Sequence, residues 1–257
     1  MSKKISVLMC VYNGEKYLSE SINSVLNQTY ENLEFVICND GSNDSTREII
    51  DMYAKNDRRI KVIHKENTGL TKSLIYALDF CSGEWIARQD ADDVSVSNRL
   101  EKQLMFCEKN NLELSTTYAS DMSGRVINSA VPVDIAFEPR ILQFGNIHVH
   151  GSFFFAKEIL NRVGYDHSCR VAQDFDFILQ CISKKVKCGV MNEVLYKLRL
   201  HEDSISKNNS AEQITTAKKS LERYEFKSVY YIEGKTFLLK YMLKVLKFFY
   251  LKSIKNC

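Results

Sequence analysis

Apolar and polar positions along the first half of the chain follow two rhythms. Short, nearly unbroken apolar runs occupy Ile5 to Tyr12, Leu33 to Cys38, Ile60 to Ile63 and Trp85 to Ala87. Between them lie Glu15 to Asn27, Ser45 to Lys55 and Leu70 to Phe80, where apolar residues recur at helical spacing, as Leu18, Ile22, Val25 and Leu26 do. Strand-like runs alternating with helical stretches predict a parallel sheet with helices on its faces. Ser45 followed by Glu48 has the form of a capping box at the second helix.

The rhythm changes in the second half. A helical stretch from Arg99 to Lys109 precedes Leu114 to Ala119 and Arg125 to Asn128, which read as strands around a Ser123-Gly124 turn. After Pro139 come Gly151 to Phe155, a helical pattern around Asp174 to Ile182, and the strand-like Val190 to Leu200. Neither repeats nor low-complexity linkers divide the halves, which predicts one compact body.

Composition supports a folded chain. With 257 residues, 45% of them hydrophobic, it is long enough to bury a sizeable core. The 35 basic and 32 acidic residues leave a formal charge of +3, too balanced for nucleic acid to be the main partner. Eight cysteines include no Cys-x-x-Cys pair, and several sit in apolar runs, so they read as buried free thiols in a reducing cytosol. The first residues run straight into a strand-like segment without room for a cleavable signal. No apolar run approaches the ~20 residues of a spanning helix, so the expected location is cytoplasmic, soluble or peripheral on the inner face of the membrane.

Ligands of open α/β sheets bind beyond the carboxyl ends of the strands. The loops expected there are Tyr12-Asn13-Gly14, Asn39-Asp40-Gly41-Ser42, Asn67-Thr68-Gly69 and Arg88-Gln89-Asp90-Ala91-Asp92-Asp93. Taken singly, Gly14, Gly41 and Gly69 read as turn or helix-start residues. Strand residues two apart point the same way, so Asp90 and Asp92 can present their oxygens together. Such hard ligands suit Mg²⁺ or Mn²⁺, which keep positions for water and for diphosphate oxygens. An isolated Asp-x-Asp is more often a solvated acidic turn, so its neighbours decide the reading.

Those neighbours occur in a telling order: Ser6 to Glu15, Ser24 to Tyr30, Asn39-Asp40-Gly41-Ser42-Asn43-Asp44, Gln89 to Asp93, Gln173-Asp174, and Tyr196-Lys197-Leu198-Arg199-Leu200-His201. The set, spread from Ser6 to about Ser206, resembles the family 2 glycosyltransferases. The resemblance implies a GT-A type α/β fold with a Rossmann-like, mostly parallel central sheet flanked by helices. The implied activity is inverting sugar transfer from a nucleotide sugar. The expected organisation is a GT-A domain over 1–210, with a nucleotide-binding half (1–95) and an acceptor-binding half (96–210), then a helical extension over 211–257.

The resemblance also implies roles for individual residues. Val11, Tyr12, Glu15 and Asp40 would hold the nucleoside, and a carboxylate that accepts the uracil N3 proton favours uridine. Asp92 would bind Mn²⁺ or Mg²⁺ directly, joined by His201, while Asp90 would contact ribose or the metal's water shell. Asp93 is expected either to assist or to cap the next helix. Asp174 would be the catalytic base, whereas Asp176 reads as a helix-start carboxylate favoured by the macrodipole. Arg199 belongs to the pattern around His201.

The chain departs from that pattern in places. Gln173 stands where Glu is common and Asn39 where Asp is common. Lys72, in an expected loop, divides evenly between a phosphate contact and solvent. His148 and His150 precede Gly151, and one of them is expected at the sugar or acceptor. From Lys235 to Lys255 a basic, aromatic-rich stretch fits either a membrane surface or a terminal helix packed on protein.

The function expected on these grounds is transfer of a hexose, galactose or glucose first, from a UDP-sugar to a hydroxyl of a saccharide acceptor. That acceptor is expected to be lipid-linked, in bacterial surface polysaccharide synthesis. A nucleotidyltransferase is the alternative, disfavoured because Val11 to Glu15 offers no glycine-rich, arginine-bearing loop. A non-catalytic sugar-nucleotide module is a third reading, disfavoured because Asp40, Asp90, Asp92, Asp174 and His201 are all retained.

Overall fold

The computed structural model describes residues 2–127, 136, 137, 142, 146–200 and 210–226. His201, the 235–255 stretch and Cys257 lie outside them, and with them the expectations placed there.

Continuous apolar runs give strands buried on both faces, the signature of central parallel strands. β1 (Ile5–Val11) and β2 (Leu33–Asp40) are buried along their whole length. β3 (Ile60–Lys65) is buried only at intervals, as an edge strand is. β4 (Trp85–Arg88) is buried throughout. Helices α1 (Leu18–Leu26), α2 (Thr46–Asn56) and α3 (Leu70–Leu78) connect these strands. Beyond them lie β5 (Val94–Ser95), α4 (Arg99–Asn110), β6 (Leu114–Asp121), β7 (Phe154–Ala156), α5 (Gln173–Ser183), β8 (Cys188–Leu198) and α6 (Ser210–Arg223).

All eight strands join one sheet in the order β3-β2-β1-β4-β7-β6-β8-β5. The β3-β2-β1-β4 block is parallel, β6 pairs with β8 in parallel, and the remaining pairings are antiparallel. The predicted halves therefore share one sheet. β5, immediately after the acidic loop, crosses to pair with β8 near the far end of the chain, setting Val94 against Lys197 and Ser95 against Tyr196. Ala217 and Leu221 of α6 belong to the same core cluster as the strands.

Several local expectations need correcting. The first helix begins at Leu18, because Gly14 to Tyr17 form a turn in which the Gly14 carbonyl accepts both the Tyr17 and Leu18 N–H groups. The Ser45–Glu48 capping box does not form. Asp44 Oδ1 accepts the Thr46 N–H (3.0 Å) and Glu15 Oε2 accepts the Ser45 N–H (2.9 Å), so two other carboxylates cap α2. Residues after Gly124 contribute an isolated bridge, Ser120 to Val126, in place of a described strand. Lys72 lies on the first turn of α3, exposed, and not in a loop.

The cysteines match the expectation of free thiols: Cys10, Cys38, Cys81, Cys107, Cys169 and Cys181 are free and buried, and Cys188 is free and half-buried. Among the described residues no helix is long and apolar enough to cross a membrane.

One close approach ties β8 to the end of β4. A Cβ on Gly151 would overlap the Tyr196 hydroxyl, which accepts the Asp90 backbone N–H at 3.0 Å. Gly151→Ala must displace that ring from a filled core, so it should lower stability by about 1–3 kcal/mol. Chemical unfolding monitored by circular dichroism measures this, and an unchanged midpoint would contradict the packing described.

Candidate active site

The site lies beyond the carboxyl ends of the parallel strands, where three loops are joined by side chains. Asn13 adopts φ 51°, a conformation that asparagine tolerates better than most side chains. Its N–H donates to Ser42 Oγ (2.9 Å) and its Oδ1 accepts the Asn43 N–H (2.9 Å). Gly14 donates to Thr46 Oγ1 (2.8 Å) and Glu15 to Asp44 Oδ2 (3.1 Å). Val11 is buried below this seam and Tyr12 stands half-exposed above it. Glu15, named for the nucleoside, thus spends one carboxylate oxygen on α2.

Asp40 ends β2 and is almost fully buried. Its Oδ1 accepts Lys65 Nζ (2.5 Å) and the Thr68 N–H (2.9 Å), and its Oδ2 accepts the Gly69 N–H (2.9 Å). A carboxylate oxygen carries two lone pairs, so Oδ2 keeps acceptor capacity. Gly41 is required beside it: φ is +72° and a Cβ would lie 2.6 Å from the Asn67 nitrogen.

The acidic loop leaves β4 through two arginines whose side chains are wholly buried. Arg88 donates through Nη1 to the carbonyls of Leu8 (2.7 Å) and Gln89 (2.8 Å), and through Nη2 to Asp90 Oδ1. Arg99 donates to the carbonyls of Gly151 (2.6 Å) and Arg88 (2.7 Å), and its guanidinium lies 5.2 Å from the centre of the Tyr196 ring. Burial lowers the Arg99 pKa to about 10, which leaves it cationic at neutral pH. Gln89 bonds to Ser21, Ser95 and the Asp90 and Asp93 carbonyls, which closes the turn.

Asp90 and Asp92 are half-buried, whereas Asp93 is buried. Burial pushes the Asp90 carboxyl up, Arg88 works against it, and the Asp92 charge adds to the rise. Two neighbouring hard oxygen donors that repel each other are a donor set that fits a divalent cation. Asp93 accepts the Arg199 N–H (2.8 Å), while burial and then the charges of Asp90 and Asp92 raise its carboxyl well above the usual range. Its position is that of a clasp to the end of β8. Arg199 completes the clasp: Nε donates to the Asp92 carbonyl (2.9 Å), Nη2 pairs with Glu20, and the guanidinium stacks over Tyr17.

Asp174 occupies the first turn of α5, half-buried. The residue before the helix, Ala172, takes the left-handed conformation at φ 55°, which turns the chain sharply into α5. Burial raises Asp174 to about 6, and the charge of Asp90 adds to the rise. The two carboxylates therefore act on each other. The buried Tyr165 hydroxyl feels both of them as well as Arg88. It hydrogen-bonds His150 Nε2 (2.7 Å), and the imidazole, edge-on to the Phe153 and Tyr165 rings, is held neutral by burial and by Arg88. His148 turns away, buried between Thr116 and the Ala136 carbonyl and stacked on Phe137.

Asp176 has a structural partner set. It is buried and accepts from Ser220 Oγ (2.6 Å) and Gln180 Nε2 (2.8 Å), tying α5 to α6. With Asp166 and Cys169 it forms the one triad of ligand-type atoms within 4.8 Å among the described residues. Arg223 pairs with both carboxylates, so charge there is already balanced.

The fold is of the GT-A type. The chain belongs to glycosyl transferase family 2, whose model matches residues 6–164. It is 36% identical over 204 residues to an uncharacterized glycosyltransferase of Methanocaldococcus jannaschii, covering 76% of this chain and 70% of that one. It is 33% identical over 210 residues to the O-antigen biosynthesis glycosyltransferase WbnJ of Escherichia coli, covering 79% and 82%. Two solved structures share the fold. TarS of S. aureus in complex with UDP-GlcNAc superposes with a TM-score of 0.72 at 19% identity, covering 89% of this chain and 69% of that one. The mannosyltransferase PcManGT of Pyrobaculum calidifontis, in complex with GDP-Man and Mn²⁺, gives 0.67 at 14% identity, covering 89% and 70%.

Sequence reasoning passed over Arg88, Arg99, Tyr165 and Asn146. Arg88 carried a signal, since a cation inside a four-residue buried strand needs a partner. Arg88→Met would remove the donor to Asp90 Oδ1 and one donor each to the Leu8 and Gln89 carbonyls, and should cost about 3–5 kcal/mol of folding free energy. Urea unfolding tests this; a midpoint equal to that of the unsubstituted protein refutes it.

Proposed function

We propose that the chain is an inverting, metal-dependent hexosyltransferase that moves galactose or glucose from a UDP-sugar to a hydroxyl of a saccharide acceptor. We infer a lipid-linked acceptor, at the cytoplasmic face of the membrane, in surface polysaccharide assembly. The observation that carries the reading is electrostatic: the charge of Asp90 in the acidic loop reaches Asp174 on α5 and, after burial, adds to the rise of its carboxyl. The relative named for O-antigen biosynthesis supports the acceptor class, and the neighbours in complex with UDP-GlcNAc and with GDP-Man and Mn²⁺ support a nucleotide-sugar donor and a divalent ion.

In this reading uracil stacks by Tyr12 and Val11 and offers its N3–H to the remaining lone pair on Asp40 Oδ2. Lys72, on an exposed turn, is the candidate phosphate contact. Asp92 and His201 would hold Mn²⁺ or Mg²⁺, with Asp90 at ribose or the ion's water. When bound, the ion neutralises charge on the departing diphosphate. Asp174 takes the acceptor hydroxyl's proton as that oxygen attacks the anomeric carbon opposite the leaving group. A base at about 6 is mostly ionised at neutral pH and strong enough to accept a proton in the transition state.

Asp174→Asn should lower kcat by on the order of 10²–10⁴ while UDP binding persists. Asp92→Ala should weaken UDP binding in Mn²⁺ and change it little in chelator, by isothermal titration. Full turnover by the Asp174 variant would remove the base, and UTP consumption with pyrophosphate release would favour a nucleotidyltransferase.

The pH dependence has a definite sign. The base works ionised, so kcat/KM should fall about tenfold per pH unit below about 6 and level off above it. A carboxyl whose folded pKa lies above its unfolded value contributes stability at low pH and loses it as pH rises through about 6. Asp174→Asn should therefore be at least as stable as the unsubstituted protein at pH 8. A large drop in its unfolding midpoint there would mean that the carboxylate is structural.

A further inference from the structure

Asn146 is exposed, and both ends of its amide are committed. Nδ2 donates to Asp174 Oδ2 at 2.6 Å, and Oδ1 accepts the His148 N–H at 2.9 Å. An amide carries donor and acceptor on opposite branches, so the His148 bond dictates that the donor faces the carboxylate. His148 is itself held fast. Its Nε2–H donates to the Ala136 carbonyl (3.2 Å), its Nδ1 accepts the Thr116 hydroxyl (3.0 Å), and its ring stacks on Phe137 at 4.2 Å. A line of contacts thus runs from β6, through a buried imidazole, to one oxygen of Asp174.

We propose that Asn146 is the positioning residue of the base: it holds Asp174 Oδ2, orients the carboxylate, and leaves Oδ1 to receive the acceptor's proton. This rests on the reading of Asp174 as the base. A donor to the ionised form also opposes the groups that push the carboxyl up. Those are burial and Asp90, from the loop after β4; the Asp174 and Phe175 N–H groups, on α5 itself, act with Asn146. Tyr165, from the segment before α5, faces the same carboxylate as an uncharged hydroxyl. Without Asn146 the base should be harder to ionise and free to rotate.

The test is a titration of the Asp174 side-chain carboxyl by ¹³C NMR on the full chain, its resonance assigned by disappearance in Asp174→Asn. Asn146→Ala should move the midpoint upward from about 6. Asn146→Asp, similar in shape but anionic, should move it further. Because Asn146 is exposed, both variants are expected to fold, which amide spectra recorded alongside will show. A midpoint unchanged or lowered in both overturns the inference without any knowledge of the donor sugar. With an active UDP-sugar, the acid limb of kcat/KM should move with the NMR midpoint and kcat should fall on the order of tenfold. If Asp174→Asn stays active, the base reading fails, and the titration still reports whether Asn146 holds the carboxylate.

Discussion

Two desolvated guanidinium groups beneath the acidic loop set the terms for everything above them. Removing a cation from water carries an effective penalty of several kcal/mol, and only close, well-directed acceptors offset it. Arg88 and Arg99 find those acceptors in the carbonyls of Leu8, Arg88, Gln89 and Gly151, in the Tyr196 ring and in Asp90. These acceptors come from β1, β4, the Gly151 turn and β8. The arginines therefore bind the first strand of the sheet to its last long one. A loop of three carboxylates in four residues would otherwise fly apart by mutual repulsion. Here its direction is dictated from below, and its flank is closed by Arg199.

That arrangement explains why the two halves of the chain behave as one object. β5 is two residues long, yet it pairs with β8, and Gly151 lets the Tyr196 hydroxyl reach the Asp90 N–H. The loop after β4 is thus built jointly by the parallel half and the mixed half of the sheet. Asp176, by comparison, spends its charge on α6, and two carboxylates two positions apart on α5 acquire opposite fates. Asp176 accepts from Ser220 and Gln180, whereas Asp174 accepts from Asn146.

Much of this was legible in the residues. Unbroken apolar runs announced β1, β2 and β4 because strands covered on both faces need no polar alternation. The Asp-rich loop and Asp174 announced themselves by residue type and order. What escaped depended on partners distant in sequence. Of the two carboxylates that cap α2, Asp44 is local, but Glu15 lies 30 residues away from Ser45 and is brought there only by the fold. Asn146 meets Asp174 across 28 residues with no local pattern to mark it. Arg88 and Arg99 were overlooked because charged residues are almost never fully buried unless paired, and their partners are largely carbonyls that no sequence displays.

The charges also restrict how a substrate can approach. Asp90, Asp92 and Asp93 face two buried arginines, and Arg199 is already paired with Glu20. Asp90 takes up Arg88, and burial, with the charges of neighbouring carboxylates adding to it, lifts both Asp90 and Asp93. A diphosphate brought to this loop alone meets like charge in a low-dielectric setting, where such repulsion is several-fold stronger than in water. In the proposed mechanism Asp92, with Asp90 beside it, would hold a divalent cation that offsets this repulsion, and Asp174, on a different element, would not be needed to hold it. The proposed base would then keep its charge for the acceptor's proton. The two acidic groups stand on different elements, one after β4 and one on α5, and that separation is what would make the two proposed tasks compatible.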